Sequence, residues 1–176
     1  MLPHRFQDIL TLCQVKPMVP DIRGMVANGT VIGDINSTHD DCSTGQTISM
    51  TGKNVGDLMN EKDISWGWFQ GGFKPSNNTK AVCGTSHLNI VRKNVPDYVV
   101  HHEPFQYYQS TANRHHLPPS SVAMIGHSDQ ANHQYDLSDF WAAVQANNLS
   151  AVSYLKAPHY QDGHPGVSDP LMNNTS

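Results

Sequence analysis

The sequence is short of charge. Asp, Glu, Lys and Arg make up 15% of its 176 residues, against about 25% in an ordinary globular chain. Positive charge is the scarcer kind: Lys+Arg 11 against Asp+Glu 15 give a formal net charge of -4 with histidines neutral. There is no arginine-rich run or basic stripe, which excludes nucleic acid as the main partner. No apolar stretch approaches the roughly 20 residues of a membrane-spanning helix, so no transmembrane segment is expected. Cys13, Cys42 and Cys83 lie far apart without Cys-x-x-Cys spacing, which argues against a cysteine-built zinc site. A single Cys42–Cys83 bridge with Cys13 left over suits an oxidising compartment and free thiols suit a reducing one; spacing leaves both open. The opening residues, MLPHRFQDILTLCQV, lack the charged start and apolar stretch of a signal peptide, and no localisation is assigned from them. Gly-x-Gly-x-x-Gly, P-loop and Gly-x-Ser-x-Gly patterns are also missing.

What the chain has instead is glycine, proline and histidine: Gly 13, Pro 11 and His 11. An apolar share of 38% implies a lean core with long connections, where Gly, Pro and Asn are at home. The length suits about one domain. Long connections held on a scaffold more often carry function than simple stability.

Residues 1–50 read as irregular, with a short strand at 29–32 (GTVI). From Thr51 or Lys53-Asn54 a helix is expected, with Val55, Leu58 and Met59 on one apolar face and an end near Lys62. Ile64, Trp66 and Trp68 then alternate with small or polar residues, the period of a strand, which Gly71-Gly72 stops. Residues 74–96 read as a polar loop and 97–100 (DYVV) as a short strand. Residues 137–147 form the clearest helix, capped by Asp136 or Ser138, with Leu137, Phe140, Trp141 and Val144 along one side. A last strand at 151–155 (AVSYL) runs into Ala157-Pro158. This alternation predicts an α/β sandwich with a largely parallel sheet and long loops. Ligands of such sheets bind beyond the carboxyl ends of the strands.

Two candidate groups sit just past such ends: His101-His102 and His164. Converging imidazoles can bind an anion such as phosphate, can protonate a leaving oxygen, or can ligate a transition metal. Asp162, Gly163, Pro165 and Gly166 surround His164 with residues that hold a loop in one pose. Asp162 and Asp169 either orient an imidazole or cap turns, and capping is the simpler reading. His115-His116, His127 and His133 lack ligand spacing and read as structural. For most of the eleven histidines surface decoration is the simplest account.

The strings MTGKNVGDLMNEKDISWGWFQGGF, DYVVHHEPFQYYQSTANRHHLPP, ANHQYDLSDFWAAV and LSAVSYLKAPHYQDGHPGVSDP resemble successive blocks of the phosphoesterase family of bacterial acid phosphatases and phospholipases C, within the alkaline-phosphatase-like superfamily. The resemblance covers roughly residues 28–171. It implies a partial alkaline-phosphatase-like α/β/α sandwich and a hydrolase acting on phosphate ester bonds. In the family a Ser or Thr nucleophile works beside a divalent metal ion held by an early Glu-Asn pair and a late Asp-Asp pair. The family's adjacent His pair matches His101 and His102, which implies contacts to phosphoryl oxygens. Its later active-site His matches His164, which implies a catalytic role as well. No Glu-Asn, nucleophile or late Asp-Asp block is found here; Asp40-Asp41 stands where the family carries ordinary sequence. The chain therefore reads as 1–27 unassigned and 28–176 the central part of a phosphoesterase domain, as if a start had been assigned inside a longer gene. On that reading it binds no metal by itself, it is poorly stable and feebly active alone, and full-length relatives are secreted or periplasmic. The expected partner is a phosphate-ester substrate, and no protein partner is inferred. Two other readings stay open: an inactive remnant that keeps a phosphate-binding histidine cluster, and a histidine-based metal-binding protein.

Overall fold

A computed structural model describes residues 33–74 and 80–164, and the backbone of a strand at 25–27. Eight strands and two α-helices follow in the order β1 (Met25–Ala27), β2 (Asn36–Ser37), β3 (Thr47–Met50), α1 (Val55–Asn60), β4 (Trp66–Gln70), β5 (Ser86–Leu88), β6 (Asn94–Pro96), β7 (Gln134–Asp136), α2 (Leu137–Gln145) and β8 (Val152–Lys156). They build a parallel sheet β1-β3-β2, a parallel sheet β7-β4-β8 and an antiparallel hairpin β5-β6. The fold is α/β. The expected strand at 29–32 lies outside the described residues.

β4 is the centre. Trp68, Phe69 and Gln70 face Gln134, Tyr135 and Asp136 of β7, while Trp66–Gln70 run in register with Val152–Lys156 of β8. Alternation sorts its side chains to two faces. Phe69 joins Ile125, Ala131, Tyr135 and Ala143, covered by Leu137 and Phe140 of α2. Trp66 and Trp68 join Met59 of α1, Phe105, Val152 and Tyr154 on the other face. Helices or turns thus cover both faces of the sheet, as its parallel strands require.

Both helices start on capping boxes. Asn54 Oδ1 accepts from the N–H groups of Gly56 (2.7 Å) and Asp57 (3.1 Å), and the Asp57 carboxylate accepts from Asn54 N–H at 2.8 Å. Asp136 and Asp139 repeat the exchange at α2. Of the expected apolar face of α1, only Met59 packs. Val55 and Leu58 are exposed, and the helix meets Trp66 through Gly56 and Met59. A Cβ at Gly56 would collide with the indole, so close approach, not hydrophobic spacing, sets this contact. On α2, Leu137 and Phe140 reach the core, but Trp141 and Val144 do not.

Three assignments change. Residues 1–50, read as irregular, contain β1, β2 and β3, short strands that pair in parallel and are too brief to show a period. Residues 74–96 contain the β5-β6 hairpin, whose side chains are exposed except at Val95 and therefore show no hydrophobic alternation. Its turn closes on Asn89, whose side chain accepts from Lys93 N–H at 2.9 Å, with Arg92 at φ 60. Residues 97–100 are not a strand: Asp97 and Tyr98 lie in a bend, and Val100–His102 form a 3-10 turn. Val100 packs on Phe73 and Tyr98 instead of alternating. The Asp97 carbonyl accepts from His159 N–H at 2.8 Å, tying this bend to the segment after β8.

Candidate functional site

β8 ends at Lys156, and Pro158 then leads into a 3-10 turn over His159–Gln161. That turn, the loop to His164 and the Val100–His102 turn meet beyond the strand ends. Ring centroids lie 4.7 Å apart for His101–His102, 5.4 Å for His102–His159, 5.7 Å for His159–His164 and 6.2 Å for His102–His164. Sequence reasoning named His101, His102 and His164; the structure brings them together. It missed His159 and Lys156. The available signal for His159 was its position three residues before Asp162, one 3-10 turn away.

Asp162 anchors the cluster. Its side chain is buried, and Oδ2 accepts from Lys156 Nζ at 2.7 Å and pairs with His159 Nδ1 at 3.1 Å, with His102 Nδ1 3.5 Å away. Its Oδ1 accepts from His164 N–H at 3.0 Å. The expectation that Asp162 merely caps a turn is thus only half the geometry, because the same carboxylate also orients imidazoles. Gly163, at φ 75, supplies the left-handed step between the two roles. Pro165, Gly166 and Asp169 lie outside the described residues.

The electrostatics follow. Burial pushes the Asp162 carboxyl up, but hydrogen bonds from Lys156, His159 and the His164 N–H, with the Lys156 charge, outweigh it and hold the group well below the usual carboxylate range. Burial lowers His102 to about 4, helped by the charges of Lys156 and His101 and opposed by Asp162. His101 is also lowered, chiefly by burial and against the pull of Asp34. At neutral pH the corner holds a lysine ammonium, an ionised aspartate and a neutral His102, close to charge balance.

His115, His116 and His133 are engaged within the fold. His116 is fully buried, stacked on Phe73 at 3.8 Å with Nε2 3.1 Å from Asp40 Oδ2. Asp40 also takes hydrogen bonds from Tyr98 (2.6 Å), Gln106 (2.9 Å) and Cys42 N–H (2.8 Å). Burial alone would raise this carboxyl, yet its bonds to His116 and Tyr98 keep it below its usual value. His115 and Arg114 hold Asp41 at 2.7 and 3.0 Å. His133 stacks on Trp66 at 4.5 Å and pairs with the Trp66 carbonyl at 2.9 Å. Asp40-Asp41, unremarkable in the sequence, is therefore a buried hub beside an ion-paired surface residue. Next to it Cys42 and Cys83 are joined in a disulfide with Cα atoms 5.3 Å apart; Cys13 lies outside the described residues.

A model of the Phosphoesterase family matches residues 23–175. The chain belongs to the Phosphoesterase family. No individual curated protein matches it. The family comprises phosphoester hydrolases and is generally metal-dependent, so the residues of this family member can be tested for fit to a divalent ion. Among the described residues, two groups bring three potential ligands together, Asp40/Cys42/His116 and His102/His159/Asp162. In the first, the disulfide removes the Cys42 thiolate. In the second, the Lys156 ammonium occupies the Asp162 oxygen that both imidazoles approach. Neither arrangement fits a divalent ion as it stands. No helix among the described residues is long and apolar enough to cross a membrane.

Proposed function

We propose that the corner formed by His101, His102, His159, His164 and Lys156 binds the phosphoryl group of a phosphate ester, in an enzyme of the acid phosphatase or phospholipase C type. The observation that carries this reading is the convergence of four imidazoles and one ammonium beyond β8, around a single buried carboxylate. Phosphoryl oxygens accept hydrogen bonds from imidazole N–H groups and from ammonium. Asp162 holds His159 and Lys156 in place, which limits the ordering cost of binding. His164 is the least buried of the four and is the group we assign to give a proton to the leaving ester oxygen. An anion seated here favours protonated His102, so binding takes up a proton and strengthens as pH falls.

A second reading, a module that binds phosphate without turnover, draws support from the poor fit of both ligand groups to a divalent ion. The experiment that separates them uses the 176-residue chain with p-nitrophenyl phosphate at mildly acidic pH, with and without added divalent metal, and His164→Ala as control. Turnover lost in the variant is the expected result. Phosphate binding without turnover, in a chain shown to be folded, favours the second reading. If vanadate leaves the ring resonances of His101, His102 and His164 unmoved, the site assignment is wrong.

A further inference from the structure

On the other side of the His159–Gln161 turn lies a cavity of about 470 Å³, within the range of small-molecule sites. It opens where β4, β7 and β8 end, at Gly71, Asp136 and Pro158. Pro158, Tyr160 and Gln161 line it, whereas His159 and Asp162, alternate to them in the chain, belong to the histidine corner. One turn thus serves as the wall of both. A smaller neighbouring cavity shares Leu137 and Trp141 with it and reaches Lys156 and Asp162, so the two spaces are adjacent.

Asp136 gives the cavity its chemistry. Its Oδ1 accepts from Ser138 N–H at 2.9 Å and Ser138 Oγ–H at 2.6 Å, which completes the cap of α2. Its Oδ2 is buried, with no hydrogen-bond partner among the described residues, and the side chain is only 7% exposed. Capping requires one oxygen; a second left without a donor is unfavourable. An unsatisfied, deeply buried acceptor on a residue that lines a cavity is the mark of a missing donor. The surroundings narrow what donor that is. Asp97 and Asp136 both line the cavity and oppose a second anion. Lys74 Nζ lies 3.6 Å from Asp136 Oδ1, and His87 Nδ1 lies 2.6 Å from Asp97 Oδ1, so each carboxylate already has a cationic or cation-forming neighbour, and a further ammonium is not called for. Trp141, an apolar ring lining the cavity, is 47% exposed on a helix whose Leu137 and Phe140 reach the core. A neutral, hydroxyl-rich group with an apolar C–H face satisfies all of these: its O–H donates to Oδ2 and its C–H face lies on the indole.

We propose that this cavity holds the alcohol moiety of the phosphate ester and that this moiety is a polyol or sugar. The inference rests on the phosphoryl assignment made above and adds the substrate class to it. The test compares glucose 6-phosphate with inorganic phosphate, by calorimetry and by the shift of the Trp141 indole N–H resonance. The sugar phosphate should bind about tenfold tighter or better. Asp136→Asn keeps the capping oxygen and puts an N–H donor where the free acceptor was; Trp141→Ala removes the platform. Each should cut the advantage of glucose 6-phosphate over phosphate about fivefold or more. Phosphate binding with no advantage for the sugar phosphate overturns this inference and leaves the histidine corner standing. No phosphate binding in a folded chain overturns both. An equal advantage for phosphoethanolamine, lost in Asp136→Asn, overturns the polyol class in favour of an ammonium-bearing alcohol, and an advantage that survives Asp136→Asn overturns the role of Asp136.

Discussion

Two adjacent histidine pairs, His101-His102 and His115-His116, meet opposite fates. In the first, His102 keeps 17% of its side chain exposed at a corner shared with His159, His164 and Lys156. In the second, His116 is sealed at 0% between Phe73 and Asp40, while His115 stays at the surface on Asp41. Both pairs sit in short turns and have the same two side chains, so residue type does not separate them. Their carboxylates do. Asp40 shares its negative charge among neutral hydroxyl and amide donors and one imidazole inside the core. Asp162 faces a lysine and several imidazoles at the rim. A buried carboxylate with both oxygens engaged by neighbouring donors holds a fold together. One set among cationic and titratable groups at the rim fixes the pose of those groups.

The comparison is broken most directly by removing one ring from each side. His116→Ala takes the imidazole from a buried partner and from its stack on Phe73, and loss of one partner of a buried pair costs about 4 kcal/mol. His102→Ala, at a half-open rim, should cost under about 1 kcal/mol while weakening phosphate binding about tenfold. Urea unfolding monitored by tryptophan fluorescence, paired with phosphate titration, reads both. Equal destabilisation by the two variants would erase the distinction.

The disulfide sharpens it. Cys42 follows the Asp40-Asp41 hub and packs with Phe73, Tyr98 and Val100, so the Cys42–Cys83 bond fastens the core that encloses His116. Closing a loop of sequence separation 41 stabilises by about 4 kcal/mol through the unfolded chain. Replacing both cysteines by serine should lower stability by about that amount, with the phosphate affinity of the surviving folded chain changed less than about twofold. A large loss of affinity at constant fold would show that the two corners are one unit.

Much of this scaffold is legible in the sequence, and for definite reasons. β4 is readable because Trp66 and Trp68 alternate and Gly71-Gly72 end the run; α2 is readable because Asp136 caps a segment whose Leu137 and Phe140 reach the core. The β5-β6 hairpin is not, because almost all its side chains are exposed and leave no period of two. The hub at Asp40 is hidden for another reason: its partners Tyr98, Gln106 and His116 lie 58, 66 and 76 residues away. At the candidate site, pairing and turn residues mark His101, His102 and His164. Lys156 carries no such mark; it gains its place only because β8 runs in register with β4 and sets Lys156 opposite Gln70, at the strand end where Asp162 returns.

The smallest effect is the most specific to the open corner. His102 is held near 4 first by burial and next by the like charge of Lys156. A histidine lowered in this way is a liability in acid: between pH 6.5 and about 4 the unfolded chain accepts a proton that the folded chain refuses, so stability falls as pH drops through that window. Lys156→Met removes the repelling charge and frees the Asp162 oxygen that the ammonium engages. Asp162 remains ionised there, since His159 and the His164 N–H still favour its charged form, and its pull on His102 grows. The His102 ring resonance should then titrate at higher pH, by roughly half a unit or more, and the acid loss of stability should narrow with it. In His116 the same substitution should change nothing, because Lys156 has no contact with the Asp40 hub. A His102 titration unmoved by Lys156→Met would mean that burial alone sets its value, and that the corner is not electrostatically coupled in the way anion binding requires.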